Sequence, residues 1–128
     1  MQVEEAVAKA IRTKLTADLT CPVYDHPPRN AEMPFVTFDR HIVQPDNEPL
    51  AITMSRHQIT LTIWSKERGV KQVRGIIGDI RTALHRCDLV LDVGNSALVT
   101  VERCDVSRDA DGVTYMGSAM IDVLTNND

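Results

Sequence analysis

The sequence predicts an α+β fold: a mainly antiparallel β-sheet with two α-helices packed on one face, in the order α-β-β-β-α-β-β-β. Three observations carry this expectation. First, the hydrophobic period changes abruptly inside Ser55–Arg86. Ile59, Leu61 and Ile63 alternate with Gln58, Thr60 and Thr62, whereas Val70, Val73, Ile77, Ile80 and Leu84 recur at three- and four-residue steps. The first pattern is a strand with one buried face and the second a helix with one apolar stripe, so each can hide its apolar side against the other. Second, turn chemistry at Gly94-Asn95-Ser96 and at Asp109-Ala110-Asp111-Gly112 joins consecutive apolar runs as hairpins, which makes neighbouring strands antiparallel. Third, a length of 128 residues without internal repeat or linker suits one domain, 1–128, with one continuous core.

The elements follow in order. Gln2 to Leu19 reads as the first helix. Val3, Val7, Ile11 and Leu15 stand four apart, and Glu4 and Glu5 in the first turn suit the helix dipole. Thr20-Cys21-Pro22 ends it, because the residue before proline is pushed out of the helical region. Val23-Tyr24-Asp25 is a short extended piece, closed by the rigid turn His26-Pro27-Pro28-Arg29-Asn30. Met33-Pro34 leads into a strand from Phe35 to Val43, and Gln44 to Pro49 is turn chemistry. Leu50, Ile52 and Met54 beyond it admit two readings: a loop that contacts a partner, or, for Ile52 and Met54, the start of the next strand. After the central strand and helix, Leu89–Val93, Leu98–Val106 and Thr114–Leu124 are strands. Thr125 to Asp128 reads as a frayed polar end.

Composition narrows the function classes. The chain is 43% hydrophobic and 25% charged, as in ordinary globular proteins. It has no run of about 18 apolar residues for a membrane span. Glu4 and Glu5 stand where a signal peptide would be basic, so a cytoplasmic chain is expected. Cys21, Cys87 and Cys104, odd in number and widely spaced, read as reduced thiols and not as a disulfide framework or zinc site. A net charge of -4 argues against nucleic acid as the main partner. Its distribution says more: Ser65–Arg86 holds six basic residues against Glu67 and Asp79, and the other segments hold 8 basic and 16 acidic residues. One basic helix on an acidic body suits contact between copies, or it is a solvated face. Gly75 and Gly78 inside that helix imply either close approach of another backbone or mere tolerance.

No catalytic set emerges. His26, His41, His57 and His85 are scattered without metal spacing. His41 and His57 can face each other across a hairpin, although polarity of the sheet surface explains them more simply. His85, near Arg81 and Arg86, suits the helix C-terminus. Asp109-Ala110-Asp111-Gly112, with Asp105 nearby, lacks the glutamate of a calcium loop. No phosphate-binding glycine loop and no G-x-S-x-G nucleophile motif is present, and Cys87 follows a helix end that does not lower its pKa. The expectation is a non-enzyme without cofactor.

Five landmarks, in order and spacing, resemble the tail completion family of long-tailed phages and gene transfer agents, whose members are also called tail terminator or head-to-tail joining proteins. They are the N-terminal helix ending near Leu19; Val23-Tyr24-Asp25 with the prolines after it; and Met33-Pro34-Phe35-Val36. Next comes Ile59-Thr60-Leu61-Thr62-Ile63-Trp64-Ser65, running into a helix that ends Ala83-Leu84. Last is Arg108-Asp109-Ala110-Asp111-Gly112-Val113-Thr114 before a strand containing Gly117. The resemblance implies a structural virion protein of prophage or phage type, assembled in the bacterial cytoplasm and placed at the tail–head junction. It would form a homo-oligomeric ring, a hexamer, that caps the tail tube protein and offers a surface to the head–tail connector proteins. DNA would pass through such a ring without specific recognition. A ring of one subunit needs two different complementary faces, and Lys71, Arg74 and Arg81 are the expected basic half. Leu50, Ile52 and Met54 are the expected partner loop. The alternative is a standalone cytoplasmic α+β module that binds a small ligand or a protein.

Overall fold

The computed structural model describes residues 3–45, 54–66, 70–91, 96–108 and 114–126. Its elements are α1 (Val3–Asp18), β1 (Val23–Tyr24), β2 (Phe35–Pro45), β3 (Met54–Ser65), α2 (Lys71–Leu84), β4 (Cys87–Val90), β5 (Ser96–Arg108) and β6 (Tyr115–Asn126). The expected order of helices and strands is the observed one.

The strands form one sheet in the order β1-β2-β3-β6-β5-β4. All neighbours pair antiparallel except β1 and β2, which are parallel. The centre is the β3–β6 pair, whose register runs unbroken from Met54↔Asn126 to Ser65↔Tyr115. Single irregularities fall at Phe38/Arg40 in β2 and Val101/Arg103 in β5. Such bulges bend a strand and raise its local twist.

Alternation decides which face is covered. Ile59, Leu61 and Ile63 are fully buried, beside Val36, Val99, Ala119, Ile121 and Val123 on the neighbouring strands. From α2 come Val73, Ile76, Ile77, Ile80 and Leu84, and from α1 come Val7, Ile11 and Leu15. The strand and helix of Ser55–Arg86 thus bury each other in a single core cluster. α2 lies across β3, β5 and β6 and packs against α1, which also touches β1 and β4. Those two strands are the opposite ends of the sheet, so the sheet curls around the helices and presents its other face as a convex surface. Gly117 on β6 lets α2 come close: a Cβ there would lie 2.5 Å from Val73 Cγ1 and 3.1 Å from Ile77 Cδ1.

Several boundaries differ from the sequence expectation. β2 runs on past Val43 to Pro45, because Gln44 and Pro45, expected in the turn, pair with Arg56 and Ser55 of β3. β4 starts at Cys87, not Leu89. The chain leaves α2 through Arg86 at φ 58° and gives the Arg86 N–H to the Val99 carbonyl at 2.8 Å, so pairing begins at once. β6 continues to Asn126, and Thr125 is fully buried, its hydroxyl donating to the Ser55 carbonyl at 3.3 Å. The polar end therefore begins later than Thr125, because that side chain has a buried partner to reach. β5 is longer at both ends than 98–106. The turns expected at 94–95 and 109–112, and most of the 44–54 loop, lie outside the described residues.

Candidate assembly surfaces

The basic helix separates its two jobs by face. With Val73, Ile76, Ile77, Ile80, Ala83 and Leu84 buried, Lys71, Arg74 and Arg81 project from the exposed side together with Gly75 and Gly78. Added Cβ atoms at both glycines would meet nothing within 4 Å. No backbone of the same chain therefore demands them, and the flank is open. Other cations are neutralised locally: Arg12 by Asp25 at 2.7 Å, Lys14 by Asp18 at 3.0 Å, and Arg56 by Asp122 at 2.7 Å. Among the described residues no such ion pair involves Lys71, Arg74 or Arg81. The structure thus brings the three predicted residues onto one exposed surface, and among the described residues no ion pair cancels their charge.

The predicted partner loop divides. Leu50 and Ile52 lie outside the described residues. Met54 is the first residue of β3 and pairs with Asn126, in keeping with the strand reading for that residue.

The convex face holds a group the sequence did not single out. Asp39 sits at the β2 bulge and its carboxylate accepts hydrogen bonds from Thr37 Oγ1 at 2.9 Å and from Thr62 Oγ1. Trp64 Nε1 donates to Thr37 Oγ1 at 3.2 Å. Phe35 bridges Tyr24 and Trp64 with ring centroids 5.8 and 6.4 Å away. A shallow cleft of about 530 Å³ opens beside them, lined by His26, Met33, Phe35, Phe38, Asp39 and Trp64 among others. Thr37, Thr62 and Trp64 share the non-core phase of their strands, but only the register shows that they meet. Farther along the same face Leu98 is 48% exposed opposite Leu124.

His41 and His57 do meet, His41 Nε2 lying 2.9 Å from His57 Nδ1. Surface polarity is the wrong reading of the pair, because His57 is fully buried on the covered face. The signal was in the sequence: residue 57 is in phase with Ile59, Leu61 and Ile63. The hydrogen bonds fix the tautomers. The Thr125 hydroxyl donates to the Ser55 carbonyl, so its oxygen accepts from His57 Nε2–H at 3.2 Å. His57 Nδ1 is then the acceptor for His41 Nε2–H. Burial pushes His57 down to about 4, the neighbouring His41 charge adds to this, and Glu4 opposes it. Burial likewise lowers His41, against Glu4. His85 does not stop at the helix end: its Nδ1 accepts the Val101 N–H at 3.1 Å, tying α2 to the β5 bulge.

Among the described residues no group of three or more His, Cys, Asp or Glu side chains could hold a metal ion, and no helix is long and apolar enough to cross a membrane. The three cysteines are free thiols, each pushed up in pKa mainly by burial. That leaves little thiolate at neutral pH.

Comparison with known proteins adds the family. A structure described as the virion of a native gene transfer agent (GTA) particle contains a chain with the same fold. The TM-score is 0.86 over 98% of both chains, at 16% sequence identity. No curated protein matches the chain. The model of the tail completion protein gp17 family matches residues 5–126, almost the whole sequence. The exposed basic helix belongs to a chain that is a member of the gp17 family of tail completion proteins.

Proposed function

We propose that this protein, a structural component of the phage-type tail, forms a closed homo-oligomeric ring, of six copies. The ring caps the tail tube at its head-proximal end and joins it to the head connector. Family membership supports the tail role. The observation that carries the ring is the exposed cationic face of α2, where Lys71, Arg74 and Arg81, without an ion pair among the described residues, flank two glycines with open space above them. A stripe of this kind, on a chain whose other segments are acidic, is half of a heterologous contact. Its complement is an acidic surface of the next copy. Leu50 and Ile52 are proposed to meet the tube or connector.

Reversing Lys71 and Arg74 to glutamate should convert rings to smaller species in size-exclusion and native mass measurements. Unchanged oligomers would remove α2 from the interface. Shortening the 46–53 loop should give tails of irregular length, and normal capped tails would exclude that loop as the contact. The cleft beside Phe35 and Trp64 supports a second reading, a binding module without ring formation. That reading requires a monomer whose melting temperature rises with a small ligand.

A further inference from the structure

Both ends of the curled sheet have strand edge that no other described strand covers. β1 covers β2 only at Val36 and Thr37, and β4 covers β5 only from Ser96 to Val99. Past those points, among the described residues, no strand pairs the outer side of β2 from Phe38 to Pro45 or of β5 from Thr100 to Arg108.

The register identifies the peptide groups that point outward, because a strand in an antiparallel ladder turns alternate residues to either side. On β2, Val36 stands opposite Ile63 and gives its N–H away from β3, to the Pro22 carbonyl. His41, Val43 and Pro45 stand opposite Ile59, His57 and Ser55, in the same phase once the bulge is passed. On β5, Val99 stands opposite Val123 and turns its carbonyl away from β6 to accept the Arg86 N–H. Val101 is next and is occupied, its N–H going to His85. Beyond the bulge Cys104, Val106 and Arg108 stand opposite Ala119, Gly117 and Tyr115, again in that phase. Each edge therefore turns peptide groups outward at three alternate positions.

Both edges carry mixed charge, with cations ahead at β5 and anions ahead at β2. Arg81 of α2 lines the same hollow as Val101 to Cys104, and with the exposed Arg103 and Arg108 it stands against the exposed Glu102 and Asp105, the latter 3.9 Å from Arg103. At the other edge the exposed Asp39, and the Glu4 carboxylate close enough to act on His41, stand against the exposed Arg40. Val106, on the helix-covered face, is nevertheless 36% exposed, since no further strand stands beyond it. An apolar residue on an uncovered edge favours addition of another strand.

We infer that the β5 edge of one copy, Cys104 to Arg108, pairs with the β2 edge of the next, His41 to Pro45, so that the sheet continues from subunit to subunit. This rests on the ring reading and names its contact. Two different edges on one sheet leave each copy with one of each for its neighbours, the heterologous contact that a closed ring requires. The α2 stripe then lies beside the seam, its charge orienting the approach while the backbone rungs set the register.

The test uses the full chain with Val43→Pro and Val106→Pro, each of which deletes an outward N–H that no described strand of the same chain accepts. Both variants should keep the circular dichroism of the parent and lose rings in native mass spectra. Independently, in the unmodified chain, backbone hydrogen exchange at 41–43 and 104–108 should slow by about tenfold or more on going from dilute monomer to ring. Rings whose amides there still exchange at the monomer rate overturn the edge pairing and leave the ring reading standing. Folded proline variants that still form rings do the same. A parent chain that stays monomeric at high concentration overturns the ring reading, and the pairing with it.

Discussion

At the scale of single residues, His57 makes the acid behaviour of the fold calculable. Its Nδ1 accepts from His41 Nε2–H, so a second proton on His57 would set two N–H groups against each other in a site without water contact. The folded ring sits at about 4, against about 6.5 for an unfolded histidine. Below 6.5 the unfolded chain therefore binds more protons than the folded one. The stability is fully present above that value and is lost as pH falls towards 4, by an amount on the order of 3 kcal/mol. Thermal melts should show this limb, and His57→Gln should flatten it. A His57→Gln variant with the parent's acid profile would place the titration elsewhere. Gly117 makes a steric prediction: with Val73 Cγ1 2.5 Å from an added Cβ, Gly117→Ala should cost about 1–3 kcal/mol in denaturant melts. Gly75→Ala, in open space, should be neutral or mildly stabilising to the monomer. A hydrophobicity pattern shows that a strand contains a glycine; only the helix packed over it reveals why.

Among the elements, β3 and α2 were the most legible because each keeps one period throughout. Leu61 is fully buried between them, and Leu61→Ala should lower unfolding free energy by about 2–5 kcal/mol. A loss much below this would mean that the helices cover the sheet less tightly than the packing implies. β4 was misplaced for a local reason. Cys87-Asp88 shows no alternation, and the entry into β4 runs through an arginine with positive φ, a conformation that sequence gives no cue to expect. The same limit applied to the sites. The helix period put Lys71, Arg74 and Arg81 on one exposed face, whereas the Thr37–Asp39–Thr62–Trp64 group depends on a cross-strand register and a bulge. Hairpin turns are short-range signals, but nothing local says that β3 must lie beside β6.

For the molecule as a whole, charge asymmetry has a measurable consequence. If the basic face of α2 guides association, raising the salt from low ionic strength to about 0.5 M should slow assembly and weaken the oligomer, since exposed charges are then screened within a few ångströms. Assembly insensitive to salt would assign the contact to apolar or backbone interactions alone. The central pairing carries a consequence of another kind. Every strand-to-strand link between the first half of the chain and the second crosses the β3–β6 line. The protein is in effect two pieces closed by one zip, with α1 on the first and α2 on the second. A break between Lys66 and Val70 would sever no rung of that zip. Fragments 1–66 and 70–128, made as separate polypeptides in one cell, should find each other and copurify as a reconstituted fold.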